Sequence, residues 1–328
     1  MSAAPPSDTF TVRDMGSFHI GGEIVSLAGM PQRHRISTPG GPVRPIEQNG
    51  EMAVGQMYVQ YVRLAAPRSP VPVLMWHGGG MTGANWEGTP DGRPGWQTIF
   101  LRAGLDVFVS DAVERGRAGF APSPEIYPEA PFFRTAEEAW TEVFRFGPHG
   151  SYHKDPALRR AYPGCRFPLK DFDAFMKSCV PRWSCNDERT QTAYDALVAR
   201  MDHCVLLMHS QGGSFGFHAA LHAPEKVKAV MALEPSGAPD PTVEDAGRLA
   251  GVPHLFIWGD HLGGSEFWVQ YRPNVERWAD ALAKAGVPVE WIDLPARGIT
   301  GNSHALMMDD NSDEIARMAL DWLSGHGL

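Results

Sequence analysis

From residue 71 onward, short apolar runs alternate with longer stretches in which apolar residues recur at helical spacing. The runs cover 71–76, 105–110, 203–208, 227–233, 253–258 and 288–293. Strands that are buried on both faces have this unbroken apolar character. The helical spacing is found at 211–222, 268–285 and 312–325. The sequence therefore predicts an α/β fold with a mostly parallel central sheet and helices on both of its faces.

The preceding segment, residues 16–64, has a pattern typical of half-exposed strands. Polar and apolar residues alternate, and β-branched and aromatic side chains are frequent, in 18–20, 23–27 and 54–64. Pro and Gly are concentrated in 38–45, which we interpret as a loop. The sequence thus predicts a β-rich N-terminal part.

The alternation of strands and helices is interrupted between residues 111 and 201. A plain crossover connection is much shorter, so we interpret 112–200 as a cap inserted above the strand ends. Residues 1–111 and 201–328 then form the N-terminal and C-terminal parts of the α/β core. Most of the aromatic residues of the cap should form its own interior, and a few should face an apolar cleft: Phe120, Tyr127, Phe132, Phe133, Trp140, Phe144, Phe146, Tyr152, Phe172, Phe175 and Trp183.

Charge and composition narrow the range of partners. The chain of 328 residues has a formal net charge of −9 and no basic stripe, so we expect neither nucleic acid nor an anionic membrane surface to bind it. No stretch approaches the roughly 20 apolar residues of a membrane helix. The first ten residues lack the charged-then-apolar plan of a secretory leader, and we expect a flexible end there, compatible with earlier removal of a leader.

The four cysteines, Cys165, Cys179, Cys185 and Cys204, lack the spacing of a metal finger. Cys179 and Cys185 bracket a short turn-rich stretch, and we expect a disulfide between them. Cys204 lies inside a predicted strand and should be a small buried apolar residue. Because cytosolic thiols are kept reduced, a disulfide favours a periplasmic or secreted location over a cytoplasmic one.

A glycine-rich turn, HGGGMTG, follows the first apolar run at residues 77–83. Gly78, Gly80 and Gly83 have the G-x-G-x-x-G spacing of a dinucleotide-binding turn. The same residues fit the His-Gly-Gly-Gly turn whose backbone N–H groups bind an oxyanion in esterases. Both uses bring backbone N–H groups close to negative charge, so the turn alone leaves both classes open.

Ser210 directly follows a predicted strand and precedes a helix rich in small residues. A serine in such a turn projects its Oγ above the sheet at a helix N-terminus, where the helix dipole stabilises developing negative charge. The turn requires small residues two positions on either side. Gly212 meets this requirement and Met208 does not. We identify Ser210 as the candidate nucleophile rather than as a simple helix cap.

A serine nucleophile needs a base, and His304 lies between the last predicted strand and the final helix, where the base belongs in chain order. His209 should point away from its neighbouring serine, and His77 belongs to the glycine turn. His149 and His153 are spaced for one helix face but lack the glutamate of a zinc motif, so we expect no metal site. For the acid that orients the imidazole, two residues that end predicted strands remain open: Glu234 and Asp260.

From residue 54 onward, these motifs together resemble the α/β-hydrolase superfamily, and the overall pattern is similar to secreted bacterial carboxylesterases that act on esters of bulky cyclic compounds. The resemblance rests on residues 77–80, Asp111 with 115–119, residues 209–213, residues 258–260 and His304.

This resemblance also implies where the acid belongs. Family members usually carry it three residues after the position of Gly259, where this chain has Leu262. A minority carry it after the sixth strand, which Glu234 ends and where Pro235 favours an extended backbone. We therefore favour Glu234, with Asp260 as the alternative.

The resemblance further implies oxyanion donors at the N–H groups of Gln211 and Gly79, with Gly80 as the near alternative to Gly79. A dinucleotide site needs an acidic residue roughly 20 positions after its glycines. Asp111 lies 28 positions after Gly83 and inside the hydrolase-like turn. The dinucleotide interpretation also leaves His304 unexplained, so we expect no cofactor.

The sequence therefore predicts a serine carboxylic-ester hydrolase for a small-molecule ester that is bulky and apolar. The alternative is a lyase, a transferase or a non-catalytic binding protein that uses the same cavity. A homodimer is expected only because homodimers are common.

Overall fold

The computed structural model describes residues 9–122 and 124–328. The strands are β1 (Val12–Leu27), β2 (Arg33–Ile36), β3 (Val43–Ile46), β4 (Gly50–Leu64), β5 (Val73–Trp76), β6 (Val107–Asp111), β7 (Cys204–His209), β8 (Val227–Leu233), β9 (His254–Trp258) and β10 (Val289–Asp293). The helices are α1 (Ala84–Glu87), α2 (Trp96–Arg102), α3 (Ala136–Glu138), α4 (Phe172–Met176), α5 (Asp187–Arg200), α6 (Gln211–His222), α7 (Glu266–Lys284) and α8 (Ser312–Gly325). The expected flexible end concerns residues 1–10, of which 1–8 lie outside the described part.

An eight-stranded sheet carries the fold, in the order β1-β4-β6-β5-β7-β8-β9-β10. From β6 to β10 in this order, each pair of adjacent strands is parallel. Strand β4 is antiparallel to both of its neighbours, β1 and β6. Each of the six predicted apolar runs forms one of the parallel strands. The predicted α/β fold with a mostly parallel sheet is confirmed.

Two apolar layers cover the two faces of the sheet. On one face, α2 and α8 contribute side chains such as Trp96 and Trp322. On the other face, α5, α6 and α7 contribute side chains such as Leu197, Phe217 and Trp278. The sheet is therefore buried on both sides, which explains the unbroken apolar character of its central strands.

The N-terminal part is β-rich as predicted, with two differences in detail. Segments 18–20 and 23–27 belong to one long strand, β1, because Gly21 and Gly22 continue it with φ values of 72° and 78°. The predicted loop 38–45 is wrong at its end, where Val43–Ile46 pairs with Arg33–Ile36 in a small hairpin. This ribbon is separate from the main sheet and exposed, so it tolerates a proline within a strand.

Residues 112–200 contain short helices, turns and one π-helical turn, Ala139–Val143. Aromatic side chains of this segment contact each other closely, as between Phe144 and Phe175, whose ring centroids are 4.7 Å apart. Helix α5 at the end of the segment packs against β1, β4 and α6. The division of the chain into a core and a cap with boundaries at 112 and 200 stays a prediction.

The predicted disulfide between Cys179 and Cys185 is wrong, because all four cysteines are free. Cys179 Sγ packs 3.8 Å from Met81 Sδ, and burial raises the pKa of its thiol to about 11. Cys185 is exposed. Between the two, Arg182 pairs its backbone with Phe132 in both directions. The Cys179 thiol thus packs against Met81 whereas Cys185 is exposed, so the two thiols do not meet.

Within the described residues, no helix is long and apolar enough to cross a membrane. The same part of the chain has no group of three or more His, Cys, Asp or Glu side chains that could hold a metal ion.

Candidate active site

Ser210 lies in the sharp turn between β7 and α6. Its backbone has φ 53° and ψ −120°, which residues with a side chain rarely adopt. The Ser210 N–H donates to the Leu233 carbonyl at 3.0 Å, and the Ser210 carbonyl accepts from the N–H groups of Gly213 and Ser236. The neighbouring strand and helix thus hold the turn in a strained conformation, as is common at functional sites.

A glycine in α6 accommodates the unusual Met208. A Cβ atom on Gly216 would overlap the Met208 sulfur, so the thioether fills the space above this glycine. On the other flank, a Cβ on Gly212 would lie 2.8 Å from the His77 carbonyl oxygen, so α6 begins in close contact with the end of β5. The turn is therefore tight despite Met208, because the missing small residue at 208 is replaced by one at 216.

His304 and Glu234 are in direct contact. His304 Nδ1 lies 2.5 Å from Glu234 Oε2, and both side chains are buried, at 1% and 0% exposure. Glu234 directly follows β8 with φ 41°, so the extended backbone expected before Pro235 is wrong. Its N–H donates to the Ile257 carbonyl at 3.0 Å, which holds the residue in this left-handed conformation. This backbone bond holds the carboxylate above the ends of β8 and β9, beneath the loop that carries His304.

Sequence reasoning missed Arg145, which is only 1% exposed and contacts the same carboxylate. Arg145 Nη2 donates to Glu234 Oε1 at 2.6 Å, and the Gly259 N–H donates to the same oxygen at 2.6 Å. Arg145 Nε donates to the Asp260 carbonyl at 2.8 Å. One carboxylate oxygen is therefore occupied by two donors, and the other faces His304. The available signal was a charged residue between two aromatic residues at 144–146.

The surroundings keep the His304 imidazole neutral. Burial lowers its pKa well below the ordinary value, and the positive charges of Arg145 and Arg134 lower it further. Packing is also close, since the His304 ring lies 4.3 Å from the rings of His209 and Trp268, centroid to centroid. A neutral imidazole is the form that can accept a proton.

A buried polar cluster supports the His304 loop. The carboxylate of Asp309 accepts hydrogen bonds from Ser303 N–H, Ser303 Oγ and Asn302 Nδ2 at 2.7–2.9 Å. Burial raises the pKa of Asp309 to about 7. His209 Nε2 carries a proton and donates it to the His304 carbonyl at 2.8 Å, because a carbonyl oxygen can only accept. His209 thus holds the backbone of the loop.

Asp260, the alternative acid, binds backbone groups instead of the imidazole. Its Oδ1 accepts from the His261 N–H at 2.7 Å, and its Oδ2 accepts from the Gly301 N–H at 2.9 Å. Its side chain therefore fastens the start of the loop that leads to His304.

The glycine turn is held by two buried side chains. His77 Nε2 accepts from the Ala112 N–H at 3.0 Å and Nδ1 donates to the Gly78 carbonyl at 2.8 Å; burial lowers its pKa to about 4. Asp111 accepts from the Gly83 N–H at 2.7 Å and forms an ion pair with Arg117 at 2.8 Å. The roles of His77 and Asp111 are thus to fix this turn against the end of β6.

A small cavity of about 20 Å³ joins the candidate residues. Ser210, His304, Gln211 and Gly79 all line it. Gly80, the alternative oxyanion donor, does not belong to this lining. Its backbone has φ 72°, and its carbonyl accepts from the Val180 N–H. The remaining lining residues are Gly78, Met81, Arg134, Val143, Phe144, Arg182, His209, Ser236 and Phe267.

No protein-family model matches the chain. A solved structure described as a novel bacterial esterase is 30% identical in sequence, with a TM-score of 0.83 and coverage of 100% of both chains. The chain belongs to the esterases of the α/β-hydrolase superfamily. A probable secreted lipase from Fungal sp. (strain ATCC 74256) is 28% identical over an alignment of 322 positions, and the match covers 81% of this chain and 85% of that protein.

The remaining histidines of this esterase-family chain lie outside the cavity. His149 and His153 do not share a helix face as expected, because residues 148–155 form turns and irregular backbone. His149 contacts the Glu142 carboxylate, and His153 Nδ1 accepts from the Asp155 N–H at 2.9 Å. These local contacts account for both side chains.

Proposed function

We propose that the chain is a serine carboxylic-ester hydrolase that works through an acyl-enzyme, with Ser210 as nucleophile, His304 as base and Glu234 as the acid that orients the imidazole. The observation that carries the proposal is the 2.5 Å contact between His304 Nδ1 and Glu234 Oε2 beside the cavity that Ser210 also lines. This contact fixes the proton on Nδ1 and leaves the Nε2 lone pair free to accept one.

In the first half of the reaction, Ser210 Oγ attacks the ester carbonyl carbon while its proton passes to His304 Nε2. The carbonyl becomes a tetrahedral oxyanion, which the N–H groups of Gln211 and Gly79 stabilise. Gln211 begins α6, so its N–H lacks a helical partner and is available to the oxyanion. The intermediate collapses, and the alcohol leaves with the proton held by His304.

In the second half, a water molecule loses a proton to His304 Nε2 and attacks the acyl carbon. The Ser210 Oγ–acyl bond breaks, the proton returns to Ser210, and a carboxylic acid leaves. Glu234 stays ionised throughout and stabilises the imidazolium that forms in each half.

The substrate we propose is a small-molecule ester with a bulky apolar body. Met81, Val143, Phe144 and Phe267 supply apolar lining. A cavity of about 20 Å³ is too small for such a molecule, so binding requires the side chains that line it to move.

We also propose export to the periplasm or the exterior. The likeness to a probable secreted lipase supports it, whereas the free cysteines remove the support that a disulfide would have given. A homodimer stays a prediction, and the molar mass from light scattering after size-exclusion chromatography tests it.

Turnover of an activated aryl ester tests the proposed reaction. Ser210→Ala should lose about 10⁴-fold or more in kcat, because the members of such a triad act as a unit. Ser214→Ala, one turn further along the same helix, is the matched control and should keep wild-type turnover. Full activity of Ser210→Ala would end the proposal.

A further inference from the structure

Two arginines stand out in the lining of the candidate cavity. Arg134 and Arg182 share it with Ser210 and His304. No carboxylate belongs to the described lining, since its other members are apolar, glycine or uncharged polar residues and histidines. The cleft that the sequence predicts as apolar therefore contains two positively charged side chains in the same lining as Ser210 and His304.

Arg182 is held rigidly against the oxyanion side of the cavity. With the Gln211 amide assigned so that its oxygen faces the guanidinium, Arg182 Nε and Nη2 donate to that oxygen at 3.2 and 2.8 Å. Its guanidinium lies 5.5 Å from the centre of the Phe132 ring. A Cβ atom on Gly79 would lie 2.9 Å from Arg182 Nη1, so the guanidinium lies directly against this glycine. A planar guanidinium fixed in this way presents its remaining N–H groups in a defined direction.

The positive charge at this place is only partly balanced by nearby carboxylates. Within the described residues, Arg182 forms no ion pair, and Arg134 pairs only with Glu138, whose side chain is 46% exposed. Burial and the nearby charge of Arg134 lower the pKa of Arg182, while Asp187, which is exposed, acts in the opposite direction. Two like charges held close together in a half-buried site repel each other, and an anion bound between them relieves this repulsion.

We propose that Arg182, with Arg134, binds a carboxylate carried by the ester substrate. The inference rests on the proposed esterase function and narrows its substrate class to anionic esters with an apolar body. Arg182 takes the larger part because its guanidinium has no carboxylate partner, whereas Arg134 already has Glu138. The carboxylate belongs either to the acyl part or to the alcohol part of the ester, because both would present the same group to Arg182.

Two matched pairs of esters test the proposal and separate these two sources. The acyl pair is 4-nitrophenyl hydrogen adipate and 4-nitrophenyl hexanoate, which have equal chain length. The alcohol pair is 3-acetoxybenzoate and the neutral 3-acetoxybenzamide. The measured quantity is the ratio of kcat/KM between the anionic and the neutral member, after subtraction of spontaneous hydrolysis. We expect the wild-type protein to prefer the anionic member of one pair by about 10- to 100-fold, as a charge-assisted contact supplies.

Arg182→Gln should remove most of this preference, and Arg134→Gln should reduce it by less. The matched control is Arg160→Gln, because Arg160 is an exposed arginine of the same segment outside the cavity, and it should keep the wild-type ratio. Arg182→Lys keeps the charge and should retain part of the preference, which distinguishes lost charge from misfolding.

The possible failures are distinct. Hydrolysis of the neutral esters with no preference in either pair overturns this inference and leaves the esterase proposal intact. The inference is also overturned if Arg182→Gln lowers kcat/KM for the anionic and the neutral ester by the same factor and so leaves their ratio unchanged. Arg182 would then serve the oxyanion or the fold. No hydrolysis of any of the four esters overturns both proposals.

Discussion

Glu234→Gln replaces one carboxylate oxygen by an NH2 group, and the contacts of Glu234 determine the direction in which this NH2 group points. In the wild-type protein, Oε1 accepts from Arg145 Nη2 and from the Gly259 N–H, both at 2.6 Å. Both partners are donors, so the amide oxygen of the glutamine must remain on their side. Its NH2 group then faces His304 Nδ1 and requires that nitrogen to accept a hydrogen bond.

This reversal places the imidazole proton on Nε2, where His304 should take the proton of Ser210. By analogy with the carboxylate-to-amide change in a serine protease triad, kcat should fall by about 10³- to 10⁴-fold, a rise of about 4 to 5.5 kcal/mol in the barrier. The change also leaves the buried Arg145 without a counter-charge, and breaking such a pair lowers the free energy of unfolding by about 3–5 kcal/mol.

Steady-state turnover of an aryl ester by Glu234→Gln and Asp260→Asn tests this reasoning. Turnover is normalised to the folded fraction, which circular dichroism during urea unfolding gives. Asp260→Asn should affect activity little, because Asp260 contacts two backbone N–H groups and not the imidazole. An inactive Asp260→Asn beside a fully active Glu234→Gln would refute the assignment of the acid.

Three further changes test other parts of the structure. Arg145→Met removes a charge that lowers the pKa of His304, so the acidic limb of kcat/KM should move to higher pH, and an unmoved limb would contradict this coupling. Burial lowers the pKa of His254 to about 4, so the free energy of unfolding falls as pH decreases from about 6.5 toward 4. His254→Phe should lose about 2.5 kcal/mol less of this free energy between pH 7 and 4.5 than the wild-type protein does. An equal loss in both proteins would disprove the buried neutral ring. Gly216→Ala should cost about 1–3 kcal/mol because its Cβ overlaps Met208, and in a double-mutant cycle Met208→Ala should relieve most of that cost, whereas additive costs would exclude this contact.

The sheet could be predicted from sequence because each central strand is buried on both faces and reads as one apolar run. The ends of helices were predicted most accurately where a recognisable motif lies beside them. Helix α6, for example, begins directly after Ser210, as expected. The hairpin Val43–Ile46 was missed because an exposed two-stranded ribbon has no apolar face to produce alternation. The disulfide was wrong because sequence spacing does not report which direction a thiol faces.

The parts of the site that follow from local geometry were also accessible to sequence reasoning. Ser210 lies in a strand–helix turn and His304 follows the last strand, and both positions are read along the chain. Arg145 was not accessible, because it reaches Glu234 across 89 positions of sequence, and no local pattern reports such a contact. Arg134 and Arg182 are likewise far from Ser210 in sequence, and only the folded chain brings all three into the lining of one cavity.

The account depends most on Ser210 being an activated nucleophile, and reaction with a fluorophosphonate measures that directly. Intact-protein mass spectrometry should find one phosphonyl group per chain, and peptide mapping should locate it at Ser210. Ser210→Ala should remain unlabelled, and His304→Ala should label far more slowly than the wild-type protein. A folded wild-type protein that takes up no label, or takes it up equally in Ser210→Ala, would contradict the central claim.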